Sequence, residues 1–149
     1  MSSRIVSCAR CRQRNRVPAS AAGKPVCGKC REAVAWIVDA DDATFGQVAE
    51  RSSTPVLVDL WAPWCGPCRT VGPALERVAG DLAGTVKLVK VNVDNSPRLS
   101  RRFDVRAVPT LMIIKDGKVV ARQTGAASAA ALRSWVERTL ASASAAKRP

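Results

Sequence analysis

The stretch Val56-Leu57-Val58-Asp59-Leu60-Trp61-Ala62-Pro63-Trp64-Cys65-Gly66-Pro67-Cys68 decides the fold of this chain. Its first half is a near-continuous apolar run of strand length, the pattern of a strand covered on both faces. Beyond its second half, Leu75, Val78, Ala79 and Leu82 recur at i, i+3, i+4 and i+7, so a helix follows, with Pro73 inside it as a kink. Another strand pattern, Val86–Val93, comes next. A strand–helix–strand unit demands a parallel pair with a right-handed crossover.

Working outward, Val34–Val38 reads as a short strand, and Asp41 or Asp42 can cap a helix reaching roughly Glu50. Downstream, Asn95-Ser96-Pro97 supplies a cap and a first-turn proline for a short helix carrying Leu99 and Phe103. Thr110–Ile114 and Val119–Thr124 flank Lys115-Asp116-Gly117-Lys118, where Asp-Gly is a two-residue hairpin signal. Leu132, Trp135, Val136 and Leu140 form one face of a terminal helix, and Ala141–Pro149, small and polar, reads as a frayed tail. The parallel unit and the closing hairpin together give a mixed sheet with helices on both faces, a three-layer α/β sandwich.

Composition removes many functions. The 149 residues carry a net charge of +12, six cysteines and no histidine. Ser-His-Asp and Cys-His catalysis, Cys₂His₂ fingers and histidine-ligated haem, copper or iron are therefore excluded. The longest uncharged stretch, Gln123–Leu132, falls far short of the ~20 residues of a membrane span, and the N-terminus lacks the apolar core of a secretory signal. These features place the chain in the cytoplasm, where clustered cysteines serve metals or redox catalysis more often than structural disulfides.

The cysteines form three C-x-x-C pairs: Cys8/Cys11, Cys27/Cys30 and Cys65/Cys68. The third sits where the buried strand ends and the long helix begins. In the first turn of a helix a cysteine faces unpaired backbone N–H groups and the positive end of the dipole, which favour thiolate, so Cys65 is the expected nucleophile. Cys68, three residues on and turned inward, is the expected resolving thiol. Gly66 permits close approach of a substrate chain and Pro67 suits a helix start. A C-x-x-C is otherwise half of a metal site, but the strand-to-helix context favours redox catalysis. Asp59, inside the apolar run, is costly to bury ionised, so its pKa should be raised by desolvation and moderated by a cation such as Lys90, fitting it to exchange a proton with Cys68.

At these residues the segment from about Val34 to Ala141 resembles the thioredoxin family. Trp64-Cys65-Gly66-Pro67-Cys68 is similar to that family's active-site motif at every position, and Val108-Pro109-Thr110 to its cis-proline loop. The resemblance implies the thioredoxin fold, with Asp59 as the buried acid, Lys90 as its partner, Pro73 as the helix-kinking proline and Gly125 lining the substrate groove. Trp61 is expected beneath the dithiol and Trp64 against substrates. It further implies a protein-disulfide reductase acting by dithiol–disulfide exchange on disulfide-containing proteins, recharged by an NADPH-dependent thioredoxin reductase, binding no organic cofactor and working as a monomer.

Residues 1–31 hold Arg4, Arg10, Arg12, Arg14, Arg16, Lys24, Lys29 and Arg31 and no acid, so +8 of the net +12 lies there. With no aromatic residue and little apolar periodicity, this segment cannot fold on hydrophobic burial alone. Cys8, Cys11, Cys27 and Cys30 have the C-x₂-C-x₁₅-C-x₂-C spacing of a four-thiolate structural Zn²⁺ site, the alternatives being two disulfides or a second redox dithiol. A zinc-ribbon-like module at 1–33, a thioredoxin domain at 34–141 and a disordered tail at 142–149 is the expected division. A four-cysteine module ahead of such a domain resembles the zinc-containing thioredoxin-2 subfamily of bacteria. Its role would be to modulate stability, docking or redox response. Two further readings make the module a metal-releasing oxidation sensor, or a basic dock for protein or nucleic acid. Against nucleic acid, the segment offers no aromatic for base stacking and no recognition helix.

Overall fold

The structure, a computed structural model, describes residues 3–21 and 23–146. Strands β1 (Ser3–Ser7) and β2 (Arg14–Pro18) form an antiparallel hairpin. The main sheet holds β3 (Trp36–Ala40), β4 (Val56–Trp61), β5 (Lys87–Asn92), β6 (Thr110–Lys115) and β7 (Lys118–Thr124) in the order β3-β5-β4-β6-β7. The first three are mutually parallel where they pair, and β6 and β7 are antiparallel additions, so the sheet is mixed as the sequence implied. The α-helices are α1 (Gly66–Asp81), α2 (Pro97–Arg102) and α3 (Ala129–Ala146).

Alternation along β4 explains why its run is apolar throughout. Leu57 faces one core with Leu88, Leu111 and Ile113, covered by Val71, Leu75 and Val78 of α1 and by Leu132 and Val136 of α3. Val56, Val58 and Leu60 face a second core with Val89, Val91, Met112 and Ile114, closed by Phe45, Val48 and Leu99. Asp59 shares its parity with Leu57 and so points toward the α1 side. All six β4 residues except Trp61 are buried. The hairpin between β6 and β7 turns on Asp116 and Gly117, both at positive φ (53° and 79°), the paired left-handed geometry that matches strand twist.

Besides strand ends that shift by a residue and Phe103, which falls just past the end of α2, four details differ from the sequence reading. The first strand of the sheet starts at Trp36 rather than Val34, because the Val34 amide is bonded to the Pro25 carbonyl. Between Asp41 and Glu50 the helix is short, Phe45 followed by the single wide turn Gly46–Glu50; Asp41 does cap the preceding turn, its carboxylate accepting from the Ala43 and Thr44 amides. Helix α2 is capped from a distance: Ser96 makes no side-chain cap, and the Asp42 carboxylate accepts from the amides of Arg98 and Leu99. Helix α3 continues past Ala141 to Ala146, its alanines and serines favouring an added turn over a break. The end of the expected tail, residues 147–149, lies outside the described residues.

The N-terminal segment also has more core than its composition suggests. Cys8, Val17, Ala19 and Cys27 are buried in one cluster with Trp36, Val38 and Val48, so the hairpin lies over the second face of the main sheet and adds to the cover that the six-residue α2 supplies. Trp36 Nε1 donates to the Pro18 carbonyl at 2.8 Å. Lys87, 1% exposed, donates from Nζ to the carbonyls of Ala19 (2.5 Å) and Val48 (2.6 Å) and lies 4.2 Å from the Trp36 ring centroid. Burial lowers its pKa to about 8. The segment thus borrows a core from the domain it precedes.

Candidate functional site

Cys65 is the N-cap of α1, with extended backbone (φ −83°, ψ 113°), and its sulfur accepts from the Cys68 amide at 3.1 Å. Pro67 stands in the first turn, where an amide hydrogen would have had no helical partner. Cys65 and Cys68 are joined as a disulfide with Cα atoms 5.3 Å apart, and both are nearly buried, at 3% and 7% exposure. Trp61, Ala62, Val93 and Val108 pack around the pair. The Val108–Pro109 peptide is cis, and the Val108 carbonyl oxygen lies 3.5 Å from Cys65 Sγ. Gly125, at φ 92°, donates its amide to the Pro109 carbonyl at 3.0 Å, which ties β7 to the loop. A side chain at Gly125 would be strained in that conformation. Trp64 is 69% exposed beside the dithiol and donates from Nε1 to Asp94 at 3.3 Å.

Beneath the dithiol lies a cavity of about 210 Å³ walled in part by Asp59, Cys68, Arg69, Glu76 and Lys90. Asp59 is 1% exposed and its Oδ1 has no hydrogen-bond partner. Burial pushes its pKa up to about 6, with Lys90 opposing the rise and Glu76 adding to it. Asp59 and Lys90 are register partners across β4 and β5, yet the Lys90 ammonium is bonded to Glu76 at 3.1 Å. A cavity of this size, with Asp59 and Cys68 both on its walls, has room for water. Glu76 gave no signal in the sequence, since an acid on an amphipathic helix reads as solvated surface.

The raised pKa fixes the sign of a stability effect. An unfolded aspartate titrates near ~3.9, so from about pH 4 to pH 6 the folded chain binds more protons and stability falls as pH rises. Above that window the penalty is constant, on the order of 3 kcal/mol. An Asp59→Asn chain is therefore expected to be more stable than wild type in denaturant titrations at pH 7.5, and to lose that advantage near pH 4. Equal stabilities at both pH values would contradict the buried, uncompensated carboxylate.

The other four cysteines meet in space. Their sulfurs all lie within 4.8 Å of one another, with Cys8 to Cys30 at 3.6 Å and Cys11 to Cys27 at 3.5 Å, and none is in a disulfide. Two matching turns present them. In each, the amide of the first cysteine bonds a carbonyl five residues on, and the residue after the second cysteine, Arg12 or Arg31, adopts positive φ (64° and 67°). The Cys11 amide points at Cys8 Sγ (3.5 Å) and the Lys29 amide at Cys27 Sγ (3.4 Å). Backbone N–H groups, those of Cys11 and Cys30 foremost, hold the Cys8 and Cys27 thiols below their ordinary pKa. Sulfurs bound tetrahedrally at ~2.3 Å from one ion sit ~3.8 Å apart, so this set can hold a metal ion. The four cysteines are free, and among the described residues no helix starts at either pair.

The Thioredoxin family model matches residues 34–138. The chain belongs to the thioredoxin family. Thioredoxin of Haemophilus influenzae is 48% identical over 90 residues, covering 60% of this chain and 84% of the relative, and thioredoxin 1 of Synechococcus elongatus is 46% identical over 99 residues, covering 66% and 92%. Thioredoxin C-3 of Corynebacterium nephridii is 37% identical over 139 residues, 91% of this chain and 95% of the relative, so that likeness extends into the N-terminal segment the family model leaves out. As a thioredoxin the chain is an oxidoreductase, and its Cys65/Cys68 pair performs dithiol–disulfide exchange. Among the described residues no helix is long and apolar enough to cross a membrane.

Proposed function

We propose that this chain is a cytoplasmic reductase of protein disulfides, recharged by an NADPH-dependent thioredoxin reductase, with Zn²⁺ held by Cys8, Cys11, Cys27 and Cys30. The observation that carries the reading is the seating of Cys65 Sγ at the N-terminus of α1, accepting the Cys68 amide, against the Val108–Pro109 loop. Cys65 thiolate attacks a substrate sulfur, one substrate thiolate leaves, and a mixed disulfide forms. Cys68 then attacks Cys65 Sγ, the second substrate thiolate leaves and takes up a proton, and the protein departs with its own disulfide closed. Asp59 accepts the Cys68 proton through the cavity, its proton affinity held near neutrality by burial and trimmed by Lys90.

Substrate chains bind along Trp64, Gly66, Pro67, the edge of Val108–Pro109 and Gly125, where the exposed Trp64 indole borders the buried sulfurs. Zinc fits the four-thiolate set because it favours closed tetrahedral sulfur coordination, and bound there it would supply a structural crosslink with no open position. Coupled assay of the metal-loaded chain with insulin, NADPH and thioredoxin reductase tests the reading: insulin-dependent NADPH oxidation is expected, and its absence in a folded chain would overturn it.

A further inference from the structure

Through Arg4 the N-terminal module meets Glu76, a wall residue of the cavity under the dithiol. Arg4, on β1, places Nη1 3.8 Å from Glu76 Oε1 on α1. That nitrogen is buried and makes no hydrogen bond. The other Glu76 oxygen accepts from Lys90 Nζ at 3.1 Å, and Lys90 is the register partner of Asp59. Charges therefore alternate, plus, minus, plus, minus, from the module to the buried carboxyl.

We propose that Arg4 is a positioning residue for the resolving step: by sharing Glu76 with Lys90, it sets how much of the Lys90 charge is felt at Asp59, so that the metal-binding module tunes the group that deprotonates Cys68. This rests on the reading of Asp59 as the proton acceptor for Cys68. Negative charge on Glu76 acts on Asp59 in two ways that add. It repels the carboxylate through space, and it draws the Lys90 ammonium away from Asp59, whose Oδ1 is left without a partner. Arg4 offsets both by neutralising Glu76 from the module side. The remaining charged or titratable neighbours are Cys68 and Arg69 of α1, which also line the cavity, and Asp39, the β3 register partner of Lys90, which lies outside that lining. From β6, the residue opposite Asp59 is Leu111, which carries no charge.

The signs are opposed and testable. Arg4→Gln leaves Glu76 unshared and raises the Asp59 midpoint. Glu76→Gln frees Lys90 and lowers it. Because Arg4 and Glu76 are each at least a third exposed, the Arg4 effect is a shift of about 0.3–0.5 pH unit at low salt, smaller in high salt. In a Glu76→Gln background, Arg4→Gln should retain less than half of its shift. Arg4→Lys keeps the charge and should titrate like wild type, which separates the electrostatic role from any disturbance of the hairpin.

The measurement is a ¹³C NMR titration of the Asp59 carboxyl in the oxidised, metal-loaded full chain, where neither thiol of the pair titrates. An upward shift in Arg4→Gln, restored by Arg4→Lys and diminished by Glu76→Gln, supports the proposal. An unmoved midpoint, or a shift undiminished in the Glu76→Gln background, overturns it. A parallel pH profile of mixed-disulfide resolution in Asp59→Asn keeps the two claims apart. If that profile matches wild type, the assignment of Asp59 fails; if Asp59 shapes the profile while Arg4→Gln leaves the midpoint unmoved, the coupling alone fails.

Discussion

A Cys65→Ser chain is expected to lose reduction of protein disulfides by roughly 10³-fold or more while keeping its fold. The hydroxyl reproduces the size of the thiol and can still accept the Cys68 amide, so the helix cap survives. What disappears is the thiolate: a serine hydroxyl stays protonated at neutral pH even at a helix N-terminus, and oxygen cannot take part in exchange between sulfurs. Rates of insulin reduction, with circular dichroism to confirm folding, check the claim. Activity within tenfold of wild type in a folded Cys65→Ser chain would place the nucleophile elsewhere.

Removing the metal is expected to have the second largest effect, and to reach beyond the module. A two-stranded hairpin of five-residue strands is marginal alone, and here it is held by the four-sulfur cluster at its tip and by Val17, Ala19 and Trp36 at its base. Loosening it uncovers the second face of the main sheet and removes the Ala19 acceptor from Lys87. Chelation, or Cys27→Ser, should therefore lower the midpoint of one cooperative thermal transition by about 10 °C or more. The fluorescence of the tryptophans should move to longer wavelength as Trp36 meets water. Two separate transitions, with the domain melting at an unchanged temperature, would mean that the shared core contributes little.

Much of this was legible in the residues. The apolar run Val56–Trp61 and the helical spacing from Leu75 to Leu82 define the strand and helix that place Cys65, because local period and burial coincide there. Asp116-Gly117 determines the hairpin by backbone sterics alone. The four-cysteine spacing carries its own geometry, since each C-x-x-C turn presents two sulfurs to one point. What was not legible depends on distance in sequence. The capping of α2 by Asp42, the burial of Lys87 under Trp36, and the Arg4–Glu76–Lys90 chain all join residues more than ten positions apart, and each member alone reads as an ordinary polar side chain. Helix α3 ran long because alanine-rich ends cost little to extend, whereas small and polar composition suggested fraying.

The basic balance of the chain also acquires a place. Arg10, Arg12, Arg14, Arg16, Lys24, Lys29 and Arg31 are exposed on the module, around a cluster that would carry a formal charge of about −2 with a divalent ion bound to four thiolates. Arg4 is the exception, half-buried against the domain and aimed at Glu76. The division of labour between the thiols admits the most direct test. Cys68→Ser chain incubated with oxidised insulin should accumulate a covalent complex, and peptide mass mapping should find the substrate sulfur on Cys65. A complex linked through one of the four N-terminal cysteines, or no complex at all from a folded and otherwise reactive chain, would contradict the assignment of Cys65 as nucleophile and Cys68 as resolving thiol.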